Sequence, residues 1–252
     1  KVVHRLGEQH NEATELLASY GVHAGQHYHF EGIYLQGSQN YNTHHEGSDV
    51  DSKMVIVPTV EAMLRGMKLN HELVLENGEH VAVKTVSEFT DLFFKGNVNN
   101  LELLTTKYYI EKKDSFFGWM RGNDAGDAIS EIVQGTLWDA TIGMMIQKQK
   151  SMFKGTVTTQ PFVDKFGFDP KDVIHIARLH SLLAELKSEA YFSEALDFSK
   201  SGDYPLVEAV RAGCINAEAA TIMVEMYIDS AKRLKEEFKP VNCPLLPVTK
   251  ES

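Results

Sequence analysis

Leu35-Gln36-Gly37-Ser38-Gln39-Asn40-Tyr41, followed by Ser48-Asp49-Val50-Asp51-Ser52-Lys53, is the stretch on which the fold and the function both turn. A strand runs into a Gly-Ser bend, a polar loop follows, and a second strand opens with two acids separated by one residue. Side chains two apart in a strand point the same way. Asp49 and Asp51 therefore aim their carboxylates at one point while Val50 turns toward the core. Two like charges held so close repel unless a cation lies between them. Mg²⁺ is the natural partner, because it takes oxygen ligands and leaves room for phosphate oxygens; Mn²⁺ is a possible substitute. Gly37 lets the backbone approach a phosphate, and Ser38 offers a hydroxyl and an N–H. Asp-x-Asp alone usually marks a solvated strand face, and Gly-Ser alone is equally common. Their succession on two strands joined by a polar loop favours catalysis slightly.

Working outward, Arg5 to Tyr20 has helical spacing, with Leu6, Ala13, Leu16 and Leu17 on one side and Gly21 as a stop. Tyr28 to Leu35 and Val50 to Val57 read as strands, and Thr59 caps a short helix, Val60 to Leu64. Asn77-Gly78 predicts a two-residue type I′ hairpin turn. That turn pairs Glu76 with Glu79, Leu75 with His80 and Leu73 with Ala82. It puts His80 on the face of Leu73, Leu75 and Ala82, and Glu79 on the opposite face. Ser87 is expected to cap a helix from Glu88 to Lys95. The back half is helical: Asp127 to Lys150, Pro170 to Ala190, Tyr204 to Ala212 closed by Gly213, and Ala217 to Phe238 capped by Asn216. Pro240, Pro244 and Pro247 make the tail look extended.

The fold class expected is α+β: a small mixed β-sheet with helices on one side, followed by a helical C-terminal domain. The divisions are residues 1–120 for the α/β core, 121–240 for the helical domain and 241–252 for the tail, with the site in the cleft between core and helices.

Composition bounds the partners. The chain has 252 residues and a net charge of −10, a field that repels nucleic acid at long range and favours a small substrate or a protein. No apolar run is long enough for a bilayer and no signal-peptide pattern opens the chain, so a cytoplasmic protein is the default. Cys214 and Cys243 sit in no metal-type spacing and read as reduced thiols. His44-His45 reads as a solvated pair. Met144, Met145, Met152, Met223 and Met226 read as core filler, Trp119 and Trp138 as packing residues, and Lys148, Lys150 and Lys154 as a solvated helix end. Lys53 lies in phase with Asp49 and Asp51, in reach of pairing with them. Lys171, His175 and Arg178 are four and three apart on one helix face, with Ile174, Ala177 and Leu182 on its apolar side. Taken by itself, that set is more often a solvated basic stripe than a phosphate clamp.

These blocks resemble the nucleotidyltransferase signature of the DNA polymerase beta superfamily. More narrowly, the chain resembles the branch associated with RNA ligases in RNA-repair operons. Gly37-Ser38-Gln39-Asn40-Tyr41 and Ser48-Asp49-Val50-Asp51 match its first motif. Lys95-Gly96-Asn97-Val98-Asn99-Asn100-Leu101-Glu102-Leu103-Leu104 matches its second, with Val98 in place of a proline. Phe168-Asp169-Pro170-Lys171, His175 and Arg178-Leu179 match its third. The resemblance covers residues 30–238 and implies a nucleotidyltransferase core. Asp49 and Asp51 would bind Mg²⁺, and Gly37 and Ser38 would hold the β- and γ-phosphates of a nucleoside triphosphate. The match also turns Lys171, His175 and Arg178 into triphosphate ligands. The reaction implied is attack on the α-phosphate with release of pyrophosphate, the acceptor being an RNA end, a protein side chain or a small molecule. The third carboxylate of the pattern falls on His80, a ligand better suited to zinc or manganese than to Mg²⁺. Glu79 could replace it only if the hairpin register slips, and Glu102 is a further acid at a helix start. A module that binds nucleotide without turnover is the alternative that His80 raises.

Overall fold

The structure, a computed structural model, describes residues 1–44, 48–122, 132, 135–156, 159–188 and 192–238. The architecture is α+β. The chain divides into two compact units, Lys1–Gly126 with Leu196–Ser201, and Asp127–Ala195 with Gly202–Ser252. The extended tail expected over 241–252 and the loop residue His45 lie outside the described residues.

In the first unit, helix α1 (Val2–Ser19) precedes strands β1 (Tyr28–Gln36) and β2 (Asp51–Pro58). Next come α2 (Val60–Leu64), β3 (His71–Val74), β4 (His80–Thr85), α3 (Val86–Phe94), α4 (Val98–Thr105), β5 (Tyr109–Glu111) and α5 (Phe116–Gly122). The five strands form one mixed sheet in the order β3-β4-β2-β1-β5. Only the β2/β4 pair is parallel; β1/β2, β1/β5 and β3/β4 are antiparallel.

Strand parity sorts the side chains. Leu35, Ser52, Met54, Ile56, Val81 and Val83 turn to one face, where Leu6, Ala13 and Leu17 of α1 complete an apolar cluster. Each buried leucine there contributes about 1.5–3 kcal/mol. Tyr34 and Lys53 turn to the other face. There Tyr34 packs on Phe117, with ring centroids 5.0 Å apart, and Lys53 meets Asn100 of α4. Helices thus cover both faces of the sheet rather than one, because alternate residues of β1 and β2 are apolar or buried on both sides.

The hairpin differs from its expected register. Asn77 keeps a negative φ and only Gly78, at +87°, enters the left-handed region. A type I′ turn needs both positive. The Asn77 side chain instead accepts the Glu79 N–H at 3.1 Å, the Gly78 N–H bonds to the Leu75 carbonyl, and Leu75 N–H bonds to Glu79. The loop is therefore one residue longer, and Leu73 pairs with Val81 and Val74 with His80. A one-residue shift exchanges faces. Glu79 joins the face of Leu73, Leu75 and Val81, while His80 joins Val74 and Ala82.

Other boundaries moved for identifiable reasons. Thr85, not Ser87, caps α3, with its hydroxyl accepting the Glu88 N–H at 3.3 Å, and so α3 begins at Val86. Thr59 caps α2 as expected. Trp138 is buried, whereas Trp119 and Met226 are exposed.

The second unit is helical: α6 (Leu137–Ser151), α7 (Gln160–Phe166), α8 (Pro170–Lys187), α9 (Phe192–Ala195), α10 (Tyr204–Arg211) and α11 (Ala217–Glu237). Asp169 caps α8 through the Lys171 N–H, Pro170 occupies its first turn, and Asn216 caps α11. Helix α8 buries Val173, Ile176, Leu179, Leu183 and Leu186 and packs against α6 and α11. No described helix is long and apolar enough to cross a membrane.

Candidate active site

The bend after β1 is a tight, self-bonded loop. Gly37 sits at φ +86°, a conformation that disfavours any residue with a side chain. Its carbonyl accepts the Asn40 N–H at 2.9 Å, and the Ser38 carbonyl accepts the Thr43 N–H at 3.0 Å. Asn40 ties the loop to its surroundings, donating to the Leu35 carbonyl at 2.8 Å and accepting from the Thr106 hydroxyl at 2.8 Å. These bonds consume carbonyls. Among the described residues the Ser38 N–H and hydroxyl make no hydrogen bond, so they are the donors open to an anion.

Two carboxylates flank this bend. A Cβ placed on Gly37 would lie 3.8 Å from Asp51 Oδ2. On another side the Gly37 N–H faces Glu102 Oε1 at 3.4 Å, and Glu102 is 1% exposed. Glu102 lies in the second turn of α4 rather than at its start, because Asn97 is the cap.

The acid pair straddles the start of β2. Asp51 is its first residue and half-buried, while Asp49 lies just outside it and is exposed. Gln39 reaches the Asp49 carbonyl at 3.5 Å, linking the Gly-Ser loop to this segment. The parallel pairing of Ser52 with Val81 puts His80, one step back, alongside Asp51. His80 is exposed. Among the described residues no three His, Cys, Asp or Glu side chains gather as a metal-ligand group. Asp49, Asp51 and His80, the three expected ligands, are thus not drawn into one metal-binding group, and the hard donors of the segment are the two carboxylates. That set fits Mg²⁺, which usually binds one or two protein carboxylates and completes its shell with water and substrate phosphate.

Lys53 does not pair with the acids. Its ammonium donates to Asn100 Oδ1 at 2.7 Å and the Asn99 carbonyl at 3.3 Å. Burial, and secondarily the nearby Lys84, lower its pKa to about 8. Glu79 turns the other way, toward α1, where its Oε2 accepts from Arg5 Nε at 2.6 Å and Gln9 Nε2 at 2.8 Å. The register did slip toward Glu79, yet the face it gained is the wrong one for joining Asp51. A cleft of about 580 Å³ opens on the α1 side of the acid segment, lined among others by Arg5, Gln39, Ser48, Val50 and Glu79.

In the second unit, helix α8 brings together two of the three basic residues expected to act as a set. An Arg178 Nη2 nitrogen lies 3.4 Å from His175 Nδ1 and 3.3 Å from Nε2. Arg178 is 5% exposed, whereas Lys171 is exposed in the first turn. Burial, then the cations of Arg178 and Lys148, hold the His175 imidazole well below its ordinary pKa, so it is neutral at pH 7. Lys148 is not a solvated helix end. It pairs with the buried Asp172 at 2.8 Å, and Ser151 bonds the other Asp172 oxygen at 2.6 Å.

Gln9 and Glu79 are the residues that sequence reasoning under-read. Gln9 carried a signal, being a polar residue three positions along from Leu6 on the apolar stripe of α1; it is fully buried.

No family model and no curated protein matches the chain. Among solved structures it is similar to a nucleotidyltransferase-like protein from Exiguobacterium sibiricum 255-15. The two are 10% identical over 90% of this chain and 74% of that one, with a TM-score of 0.33.

Proposed function

We propose that the chain is a Mg²⁺-dependent nucleotidyltransferase that moves a nucleoside monophosphate from a nucleoside triphosphate to a hydroxyl acceptor. The observation that carries this reading is the juxtaposition of the left-handed Gly37 bend with the Asp51 carboxylate. In this reading an anion cradle and a cation ligand adjoin in one segment, the Asp51 carboxylate lying 3.8 Å from where a Gly37 Cβ would stand. In this reading the open Ser38 donors receive the β- and γ-phosphates, the Gly37 bend allowing their close approach, and Asp49 and Asp51 hold Mg²⁺ (or Mn²⁺). When bound, the metal neutralises charge on the phosphates during in-line displacement. In the second unit, Lys171, His175 and Arg178 stay candidates for polyphosphate binding on the sequence resemblance alone, and a neutral His175 would act there as a hydrogen-bonding group. The acceptor hydroxyl forms the new bond at the α-phosphorus as the bond to pyrophosphate breaks. An RNA end and a protein side chain are both open as acceptor classes.

The test is incubation with each α-labelled nucleoside triphosphate, Mg²⁺ and mixed acceptors, reading label transfer and pyrophosphate together. Transfer that vanishes in Asp51→Ala is the expected result, and absence of both products with every triphosphate contradicts it.

A second reading is a nucleotide-binding module that does not turn over. His80 alongside Asp51, where the superfamily pattern has an acid, favours it. Nucleotide bound with no pyrophosphate released would decide for this reading. His80→Asp would then raise metal affinity, and unchanged affinity would remove His80 from the ligand set.

A further inference from the structure

We infer that Gln9 and Glu79 are positioning residues that set the angle between Asp49 and Asp51 by clamping the backbone of Val50; this rests on the metal-binding reading of those two acids. Gln9 Nε2 donates to the Val50 carbonyl at 2.5 Å, and Glu79 Oε1 accepts the Val50 N–H at 3.3 Å. Those two groups belong to different peptides. The N–H lies in the peptide joining Asp49 to Val50, and the carbonyl in the peptide joining Val50 to Asp51. Peptides are planar, so the chain between the two acids turns only about φ and ψ. Pinning both peptides fixes the two Val50 torsions that separate them.

The clamp is itself braced. Gln9 and Glu79 bond one another at 2.8 Å, and Arg5 holds the same Glu79 oxygen at 2.6 Å. Arg5 is shared with Glu8 at 3.0 Å and Glu12 at 2.8 Å. Gln9 is fully buried and Glu79 is 8% exposed, so water competes little for these bonds. The geometry matters because Asp49 lies beyond the regular ladder of β2, which begins at Asp51. Asp49 has no ladder partner among the described strands, so the Val50 torsions decide where its carboxylate points relative to that of Asp51. Metal affinity depends on ligand groups held in register by such supporting bonds. The slipped hairpin gives Glu79 this role: the longer loop turns its carboxylate toward α1, where it meets Val50 instead of the metal ligands.

The test is Mn²⁺ binding to the full chain, read as loss of the free-ion paramagnetic resonance signal. It is applied to wild type, Gln9→Leu, Glu79→Gln, Asp51→Ala and Glu12→Gln, each also followed by thermal melting. Gln9→Leu and Glu79→Gln should each weaken Mn²⁺ binding about 10-fold, the effect typical of losing a supporting bond behind a ligand. Glu12→Gln loosens the same Arg5 network without touching Val50 and should leave affinity within twofold. If Glu79→Gln fails to fold, Gln9→Leu still reads the carbonyl half of the clamp. Wild-type affinity in Gln9→Leu, with binding lost in Asp51→Ala, overturns the clamp and leaves the metal site standing. Equal losses in Glu12→Gln and Gln9→Leu would reduce the effect to general stability and also overturn it. Absence of binding in the wild type removes both readings.

Discussion

The acid segment around Asp49 and Asp51 and the basic face of helix α8 hold charge in opposite ways. In the first, an exposed and a half-buried carboxylate stand on a backbone pinned from beneath. In the second, the backbone is an ordinary helix. It is the side chains that are constrained, with Arg178 buried against a His175 that burial and neighbouring cations keep neutral. A strand end can aim carboxylates only if something fixes its torsions, whereas a helix fixes its own and leaves depth to packing. Spacing therefore gives depth in neither region. Lys171 and Arg178 share a helix face, yet one is exposed and the other nearly sealed.

The largest effect expected is at the acid end of this comparison. Asp51→Asn should lower nucleotidyl transfer by about a thousandfold or more, equivalent to roughly 4 kcal/mol of barrier, with melting temperature little changed. Retained transfer in single-turnover assays would break the assignment.

Next are two stability changes that sharpen it. Gly37→Ala forces a side chain into the left-handed region and toward the Asp51 carboxylate. It should cost about 1–2 kcal/mol and weaken triphosphate binding together with stability, as read by denaturant titration and by calorimetry. Lys148→Met leaves the buried Asp172 without its cation. Breaking a fully buried pair costs about 3–5 kcal/mol. Lys148 is 38% exposed, so solvent reduces the expected loss to about 1–2 kcal/mol.

A smaller effect concerns pH. His175 is held below its ordinary pKa in the folded state, so the unfolded chain binds the proton more readily. Its contribution to stability is therefore complete above about pH 6.5 and is lost as pH falls below that value, with a slope of at most about 1.4 kcal/mol per pH unit. His175→Gln should flatten the decline between about pH 6.5 and 5; a slope equal to that of the wild type would show that other groups cause it. The smallest effect is at Trp119. Its exposure of 63% against 1% for Trp138 predicts that Trp119→Ala removes most acrylamide-quenchable fluorescence. The same substitution should change stability by about 0.5 kcal/mol or less.

Much of this was legible in the sequence where a local signal suffices. Thr59 and Asn216 mark their helix starts with a hydroxyl or amide three residues ahead of the N–H they cap. Gly37 marks a bend only a glycine enters easily. The hairpin register is not legible locally, because Asn-Gly is compatible with a two-residue and a three-residue loop. The choice between them was settled by Asn77 bonding to Glu79 and by the apolar face that Leu73, Leu75 and Val81 jointly bury. The Glu102–Gly37 contact, the Gln9–Val50 bond and the Lys148–Asp172 pair were beyond local reading for another reason. Their members lie 65, 41 and 24 residues apart in the chain, and only tertiary packing brings such groups together.

The central claim, that the Gly37 bend and the two acids form one metal-dependent nucleotide site, is tested most directly by calorimetric titration of ATP and GTP. Each titration is run with and without Mg²⁺, on the native chain and on Asp51→Ala. The account predicts heat of binding for at least one nucleotide only when Mg²⁺ is present, and its loss in Asp51→Ala protein that melts like the native chain. Binding of equal strength without Mg²⁺, or undiminished in Asp51→Ala, would contradict it.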